Sequence, residues 1–394
     1  MTRRASTSWS WLARRPRGPG DWLTSRPQRA SDRQPGSDHQ PTGEHQPASY
    51  ASAGVDIAAG DRAIELMKVS VARTAGPEVI GGIGGFAGLF DAGSLTRMRR
   101  PLLATSTDGV GTKVVIAQRM RSYDTIGLDL VGMVVDDLVV CGAEPLFMTD
   151  YVVCGRVQPE RIATIVAGIA DGCVKAGCAL VGGETAEHPG HFGADDFDIA
   201  GAATGVVDAD RLLGPHLVRP GDAVIGMASS GLHANGFSLV RSIIDAGGAS
   251  LDLDSQPAGL TRSLGEELLT PTRIYARDCL ALAGNCAVRT FAHITGGGLT
   301  ANLARVLPPD ADAVLERATW QPAPVFGLLA ERGQVSAAEM ERVFNMGVGM
   351  VAVVAGNDSD RALRLLADRD LPAWVIGQIG AGTGSARLVG QHPG

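Results

Sequence analysis

The sequence predicts an α+β protein made of two mixed α/β domains that follow a disordered N-terminal tail. Residues 1–47 are rich in Arg, Pro, Ser and Gln and lack apolar periodicity, so they bury too little surface to offset the entropy of ordering. Beyond them, strand and helix patterns alternate without a regular repeat, which favours α+β domains over a barrel or a solenoid. A polar stretch with two prolines, 208–220, separates a first domain over 48–213 from a second over 214–394.

Composition narrows the class of protein. The 394-residue chain is 45% hydrophobic and carries a net charge of −7, which suits a globular enzyme and argues against a general nucleic-acid binder. No apolar run reaches about 18 residues, so no membrane span is expected. Six cysteines without a Cys-x-x-Cys pair fit a reducing, cytoplasmic setting. The tail weakly resembles a transit peptide, but a disordered extension, or a start codon assigned too far upstream, explains it better.

Apolar periodicity predicts the elements of the first domain. The clearest is a helix over Pro159 to Ala176, with a proline in its first turn, an apolar stripe on one face and Gly177 just beyond its end. The remaining elements are helices over 61–73 and 124–142, a glycine cluster over 81–86, and strands over 102–106, 146–153, 179–181 and 197–207.

The second domain has the same mixture of patterns. Strands are predicted over 223–228, 289–294, 313–316, 348–355 and 373–379. Helices are predicted over 237–246, 272–283, 299–306, 336–345 and 358–368.

The segment from Thr107 to Lys113 directly follows a predicted strand. Its two glycines would let backbone N–H groups approach a phosphate closely, while Asp108 suits a metal ion and Lys113 a phosphate. Thr112 adds a hydroxyl donor. The segment lacks the Gly-x-x-x-x-Gly-Lys-Ser/Thr pattern of a Walker A loop. By itself it is equally consistent with an ordinary Asp-Gly turn beside a solvated lysine.

Carboxylates follow in two places. Asp136 and Asp137 interrupt an apolar helix, and because adjacent helical residues do not share a face, at most one of them should enter a metal site. The alternative is a helix with one exposed edge. Glu184 and Glu187 follow Gly182-Gly183, which we interpret as a turn at a strand end, where oxygen ligands suit Mg²⁺. A charged surface loop has the same pattern.

Two loops of the second domain connect a strand to a helix through polar and glycine residues. They are Ser229 to Gly236 and His293 to Gly298. Such loops suit anion binding at a helix N-terminus. His233 is a candidate to polarise or protonate a reacting group, although a capping loop with an incidental histidine looks the same.

From about Ser49 to Val389, the chain resembles the phosphoribosylformylglycinamidine cyclo-ligase family, also called aminoimidazole ribonucleotide synthetases. The matching segments occur in the family's order, and they are 49–50, 53–56, 81–86, 107–113, 137–140, 142–147, 180–187, 229–236, 270–275, 293–298 and 344–350. Position 136 is Asp where the family often has Asn, which adds a charge beside Asp137 that would raise a pKa. Position 346 is Met where Cys is common.

The resemblance implies ATP- and Mg²⁺-dependent closure of an imidazole ring in purine biosynthesis, with formylglycinamidine ribonucleotide as substrate. It also implies a homodimer formed through the first domain, with active sites near the subunit boundary. By resemblance, the catalytic residues are Asp137, His233 and His293, and the metal ligands are Asp108, Asp137 and Glu184. The nucleotide contacts implied in the same way are Lys68, Gly82, Gly84, Gly85, Asp108, Gly109, Gly111, Thr112, Lys113, Asn235, Thr295, Gly296 and Gly297.

Two other functions share part of the pattern. A related ATP-dependent kinase, of the thiamine-phosphate kinase or selenophosphate synthetase type, would lack the second-domain motifs. A non-enzymatic nucleotide-binding protein would not need clustered acids in the first domain together with two phosphate-type loops in the second.

Overall fold

The protein is described here by a computed structural model, which covers residues 49–50, 53–246 and 251–393. The predicted disorder of residues 1–47 falls outside these ranges. The α-helices are α1 Ile57–Ala72, α2 Lys113–Met120, α3 Ile126–Val139, α4 Pro159–Ala176, α5 Phe237–Asp245, α6 Leu264–Leu268, α7 Ala276–Asn285, α8 Gly298–Ala304, α9 Pro324–Gly333, α10 Ala337–Val343 and α11 Ser359–Ala367. No described helix is long and apolar enough to cross a membrane.

The β-strands form one hairpin and two larger sheets. They are β1 Val79–Ile80, β2 Leu89–Phe90, β3 Pro101–Gly109, β4 Glu144–Cys154, β5 Ala179–Glu187, β6 Phe197–Asp208, β7 Ala223–Ala228, β8 Val288–His293, β9 Ala311–Glu316, β10 Val348–Val354, β11 Ala373–Ala381 and β12 Ala386–Val389. Two mixed α/β domains result, as the sequence predicts.

The first domain is built on a four-stranded sheet in the order β3-β6-β4-β5. Only the β4–β5 pair is parallel. α3 packs against β3 and β6, and α4 packs against α3. The predicted α4 is confirmed at both ends, because Pro159 lies in its first turn and Gly177 ends it with a left-handed φ of 84°.

The other face of this sheet is open, and we call it the open face of the first sheet. Side chains alternate between faces along a strand. Leu103 on β3 and Tyr151 on β4 both point to the open face, where they are 66% and 39% exposed. The β1–β2 hairpin covers part of it, with the Phe90 ring centred 5.3 Å from that of Phe147. Exposed apolar side chains on a sheet face commonly mark an interaction surface.

The second domain is built on a six-stranded sheet in the order β12-β9-β11-β7-β10-β8. β10 lies inside it and is buried along its whole length. α3 of the first domain contacts both α7 and β8 of the second. Buried residues of the two domains, such as Val131 and Phe291, belong to one continuous hydrophobic cluster.

Several elements differ from the predictions, for physical reasons. The predicted turn at Gly182-Gly183 is wrong, since β5 stays paired with β4 from Ala179 to Glu187 and the glycines lie inside the strand. The helix predicted from 272 begins only at Ala276, because the N–H groups of Thr272 and Tyr275 are donated to aspartates of α3. The sequence patterns did not indicate α2, α6, α9 or β12.

Candidate active site

Asp136 and Asp137 leave α3 in different directions. Asp136 is fully buried and accepts hydrogen bonds from the backbone N–H of Tyr275 at 2.9 and 3.0 Å. Asp137 is 46% exposed, and its Oδ1 lies 2.9 Å from Nδ1 of His293. The two adjacent acids therefore do not share a face of the helix, as the sequence predicts. Burial raises the pKa of Asp136 to about 7, and the charge of Asp137 adds to the shift.

A cavity of about 320 Å³ lies beside Asp137, between β3 and α3 of the first domain and β8 and α8 of the second. Its polar lining consists of Thr105, Ser106, Asp137, His293, Asn302 and Arg305. The cavity is small for a complete nucleotide, but it brings an acid, a histidine and an arginine to one point between the domains.

The charges around the cavity are coupled. Burial and the nearby negative charge of Asp137 raise the pKa of Asp108, against the hydrogen bond that it accepts from Gly109 N–H. Burial alone would lower the pKa of His293, but the hydrogen bond to Asp137 and the charges of Asp136, Asp137 and Asp108 raise it above its ordinary value. His293 therefore donates from Nδ1 to Asp137, while its Nε2 has no partner among the described residues.

His233 has a different environment. It is 1% exposed, and its backbone is left-handed with a φ of 63°, which is unusual for a residue other than glycine. Its Nε2 accepts a hydrogen bond from the N–H of Ser230 at 3.2 Å. Burial and the nearby positive charges lower the pKa of His233 well below its ordinary value. The imidazole is therefore neutral, with its proton on Nδ1, and it does not act as an imidazolium acid.

The two polar loops of the second domain lie side by side, with Asn235 joining them. Its Oδ1 accepts the N–H of Gly296 at 3.1 Å. Asn302 fixes the second loop, since its amide group donates to the carbonyls of Thr295, Gly296 and Gly298. The structure thus brings Asn235, Thr295, Gly296 and Gly297 together near His293.

Comparison with known proteins identifies the family. The family models described as AIR synthase related protein, N-terminal domain, and AIR synthase related protein, C-terminal domain, match residues 91–207 and 219–390. The phosphoribosylformylglycinamidine cyclo-ligase of Geobacillus kaustophilus (strain HTA426) is 49% identical over 336 residues, which cover 85% of this chain and 96% of that protein. The protein of the same name from Anaeromyxobacter dehalogenans (strain 2CP-C) is 51% identical over 338 residues, with the same coverage.

The chain belongs to the phosphoribosylformylglycinamidine cyclo-ligase family.

As a member of this cyclo-ligase family, the protein is a ligase of purine biosynthesis. Solved structures share its fold at lower identity. Thiamine-monophosphate kinase from Stenotrophomonas maltophilia K279a has 19% identity and a TM-score of 0.59, covering 83% of this chain and 96% of that one. E. coli HypE, a hydrogenase maturation protein, has 17% identity and a TM-score of 0.58, covering 84% and 94%. A HypE structure in complex with ATP has 19% identity and a TM-score of 0.56, covering 84% and 90%.

The cyclo-ligase resemblance implies that Lys113 contacts a nucleotide phosphate, and the structure contradicts this. Lys113 is 0% exposed at the start of α2. Its ammonium group donates to Oδ1 of Asp129 at 2.8 Å, to the carbonyl of His233 at 2.9 Å and to the carbonyl of Thr270 at 2.8 Å. An ammonium has three N–H donors, so none remains for a phosphate.

Lys113 and Asp129 instead belong to a contact between the domains. The segment 270–275, which we call the interdomain strap, donates the N–H and the hydroxyl of Thr272 to Asp129 at 2.7 and 2.6 Å. Tyr275 in the same strap donates its N–H to Asp136 and its hydroxyl to the carbonyl of Ala228. The strap therefore fixes α3 against the loop that carries His233.

Glu184 lies on β5, at the edge of the first sheet opposite to the β3 edge that carries Asp108. Asp108 on β3 is aligned with Gly201 on β6, Asp150 on β4 and Gly183 on β5. Glu184 is the next residue of β5, so it points to the open face and lies three strand spacings, or roughly 14 Å, from β3. Glu184 therefore does not meet Asp108 and Asp137 within one chain. Within the described part of the chain, no cluster of three or more acidic, His or Cys side chains is arranged to hold a metal.

The glycine cluster also lies beside β5. Gly82, Gly84 and Gly85 lie in the exposed turn between β1 and β2. Gly88, just before β2, packs so closely on β5 that a Cβ there would sit 2.2 Å from the carbonyl oxygen of Val181. Lys68 lies on α1, half exposed, and pairs with Glu65. We call Asp108, Asp137 and His293 the β3-edge group, and Gly82, Gly84, Gly85 and Glu184 the β5-edge group.

Of the remaining predicted contacts, Gly109 and Gly111 follow Asp108. Gly109 is partly exposed, whereas Gly111 is exposed and has a left-handed φ of 56°. Thr112 reaches the second domain, where its hydroxyl lies 3.2 Å from that of Ser238. Sequence reasoning missed Asn302 and Arg305. The signal for them was their position just after the glycine-rich loop 296–298. Asn302 lies on the short helix α8, whose leucines are buried, and Arg305 directly follows that helix.

Proposed function

We propose that the protein converts formylglycinamidine ribonucleotide to 5-aminoimidazole ribonucleotide, with ATP converted to ADP and phosphate. The observation that carries this proposal is the match to phosphoribosylformylglycinamidine cyclo-ligases at about half identity over 96% of their length. The arrangement of Asp137 and His293 beside a cavity between the domains supports it. A fold relative, HypE, has been solved with ATP, which agrees with ATP as the phosphoryl donor.

The chemistry explains why ATP is needed. The formyl amide carbon is a weak electrophile because its oxygen is a poor leaving group. Transfer of the γ-phosphoryl group of ATP to that oxygen releases ADP and makes the oxygen a good leaving group. The amidine nitrogen of the same molecule then attacks the carbon, a C–N bond forms, the C–O bond breaks, and phosphate and a proton leave. Holding the two groups in one molecule contributes up to about 7–11 kcal/mol to such a step.

The β3-edge group fits an Mg²⁺ ion. Its donors are carboxylate oxygens, the ligands that Mg²⁺ prefers. The pKa of Asp108 is raised by burial and by Asp137, so a divalent cation held by the two carboxylates would relieve an existing repulsion. When bound, Mg²⁺ would neutralise negative charge on the phosphates. His293 fixes the orientation of Asp137, and its buried Nε2 has no partner among the described residues.

We further propose that two copies pair through the open faces of their first sheets to complete each active site. The β3-edge and β5-edge groups lie at opposite edges of one sheet, so a single chain holds them apart. A twofold arrangement of two such sheets can place the β5 edge of one copy beside the β3 edge of the other. The exposed Leu103 and Tyr151 would then be buried.

Co-expression of two inactive variants tests this shared site. We expect Asp137→Asn and Glu184→Gln to be inactive separately. Co-expressed with different affinity tags, they should regain up to about a quarter of wild-type activity, because half of the random dimers are mixed and each has one intact site. Mixed dimers purified by both tags that remain inactive would contradict the shared site.

The function itself is tested with the purified full chain. In a coupled assay, ADP release should require ATP, Mg²⁺ and formylglycinamidine ribonucleotide together, and aminoimidazole ribonucleotide should form in equal amount. Thiamine monophosphate is the control substrate for a related kinase activity, and it should give no ADP above background. Absence of ADP release that depends on formylglycinamidine ribonucleotide would overturn the proposal.

A further inference from the structure

We infer that Arg305 binds an anionic phosphoryl oxygen in the cavity beside Asp137 and His293. The first reason is electrostatic. Asp137 lines this cavity, and Asp108 is close enough to Asp137 for their charges to interact. An anionic ligand in the cavity would therefore meet negative charge. A phosphorylated ligand therefore needs a cation from the protein as well as from a bound metal.

Lys113 does not supply that cation, since all three of its N–H groups are donated to protein oxygens. Among the polar residues that line the cavity, Arg305 is the one with a permanent positive charge. Arg305 directly follows the last residue of α8, and Arg305 and His293 both line the cavity.

Arg305 is held in place without being neutralised. One of its N–H groups donates to Oδ1 of Asn302 at 3.1 Å. Asn302 is itself immobilised, because its amide group donates to three carbonyls of the loop 295–298. No carboxylate in the described part of the chain forms an ion pair with Arg305. The guanidinium has five N–H donors, so a fork of free donors remains for two oxygens of a phosphate.

A second arginine of the same domain shows how a purely structural guanidinium differs. Arg317 donates to both carboxylate oxygens of Glu341, at 2.7 and 3.0 Å, and its charge is compensated within the protein. Arg305 has no such partner, although it lies next to the loops that form the site. An oriented, uncompensated arginine at a cavity is the arrangement expected of an anion ligand.

The identity of the ligand rests on the proposed function, which offers two sources for the bound oxygen. It belongs to the phosphate chain of ATP or to the phosphate monoester of formylglycinamidine ribonucleotide. Both present the same chemistry to a guanidinium, and the kinetics of the two substrates separate them.

The test uses Arg305→Gln, which keeps a donor for Asn302 and removes the charge, together with Arg305→Lys. Arg332→Ala, an exposed arginine of α9 outside the site, is the matched control. We expect the KM of one phosphorylated substrate to rise about 10- to 100-fold in Arg305→Gln, with partial recovery in Arg305→Lys. The substrate whose KM changes identifies the source of the phosphoryl oxygen. Melting temperatures should match the wild type.

The outcomes distinguish the inference from the proposed function. If the wild type turns over and Arg305→Gln has wild-type KM values for both substrates, Arg305 is not an anion ligand. If the wild type shows no turnover, the proposed function fails, and titration of wild type and variant with inorganic phosphate and with a non-hydrolysable ATP analogue decides on Arg305. Equal affinities in that titration would overturn the inference, and weaker binding by the variant alone would support it.

Discussion

The two sides of α3 face the second domain in opposite ways. On one side, Asp129 and Asp136 accept hydrogen bonds from the interdomain strap, and Lys113 is completely enclosed. On the other side, Asp137 is half exposed, Nε2 of His293 has no partner among the described residues, and Arg305 has no compensating carboxylate. The first contact uses its polar groups to hold the domains together. The second leaves Nε2 of His293 and several guanidinium donors of Arg305 without protein partners among the described residues, as expected of a ligand-binding site.

The largest expected effect comes from breaking the closed side. Lys113→Met should lower the free energy of unfolding by about 3–5 kcal/mol, because it leaves the buried charge of Asp129 without its partner. Urea unfolding followed by circular dichroism measures this. Combining Lys113→Met with Asp129→Asn removes the orphaned charge and should restore part of the loss.

Another outcome for Lys113→Met would show that the lysine belongs to the nucleotide site and not to the structural contact between the domains. If Lys113→Met loses less than about 1 kcal/mol of stability while the KM of ATP rises, the lysine acts on the nucleotide as the family resemblance implies.

Neighbouring alanine substitutions sharpen the comparison with a smaller effect. Asp136→Ala should cost about 1–3 kcal/mol of stability, since the N–H of Tyr275 loses its buried acceptor. Asp137→Ala should change stability by about 0.5 kcal/mol or less, because its side chain is half exposed. The same urea titration measures both. Equal losses in the two variants would show that Asp137, too, is a structural residue.

The residues of the β3-edge group lie at positions that nearby sequence signals mark, while their role in catalysis stays a prediction. Asp108 and His293 lie at the ends of strands, and Asp137 interrupts an apolar helix. The fate of Lys113 was not predictable in this way, since its acceptor at Thr270 lies 157 residues further along the chain. A motif shows that a lysine follows a glycine turn, but not what the folded chain places around its ammonium group.

The second difference between prediction and structure, at Gly182 and Gly183, depends on how the strands pair. Gly182 and Gly183 resemble a turn by composition, yet they pair with Thr149 and Asp150 of β4 just after a register shift and lie inside the strand. Glu184 was expected to share a site with Asp108 and Asp137, but β5 lies at the opposite edge of the sheet from β3. The alternation and order of strands, which no local pattern contains, therefore decide which acids meet.

The central claim is that Asp137 acts in catalysis while its neighbours hold the structure, and turnover of Asp137→Asn tests it most directly. The variant should be measured beside the wild type at saturating ATP, Mg²⁺ and formylglycinamidine ribonucleotide, with unfolding free energies determined on the same preparations. We predict a loss of ADP release of about 100-fold or more with stability within about 0.5 kcal/mol of the wild type. Wild-type turnover in a fully folded Asp137→Asn protein would contradict the claim and remove this carboxylate from the site.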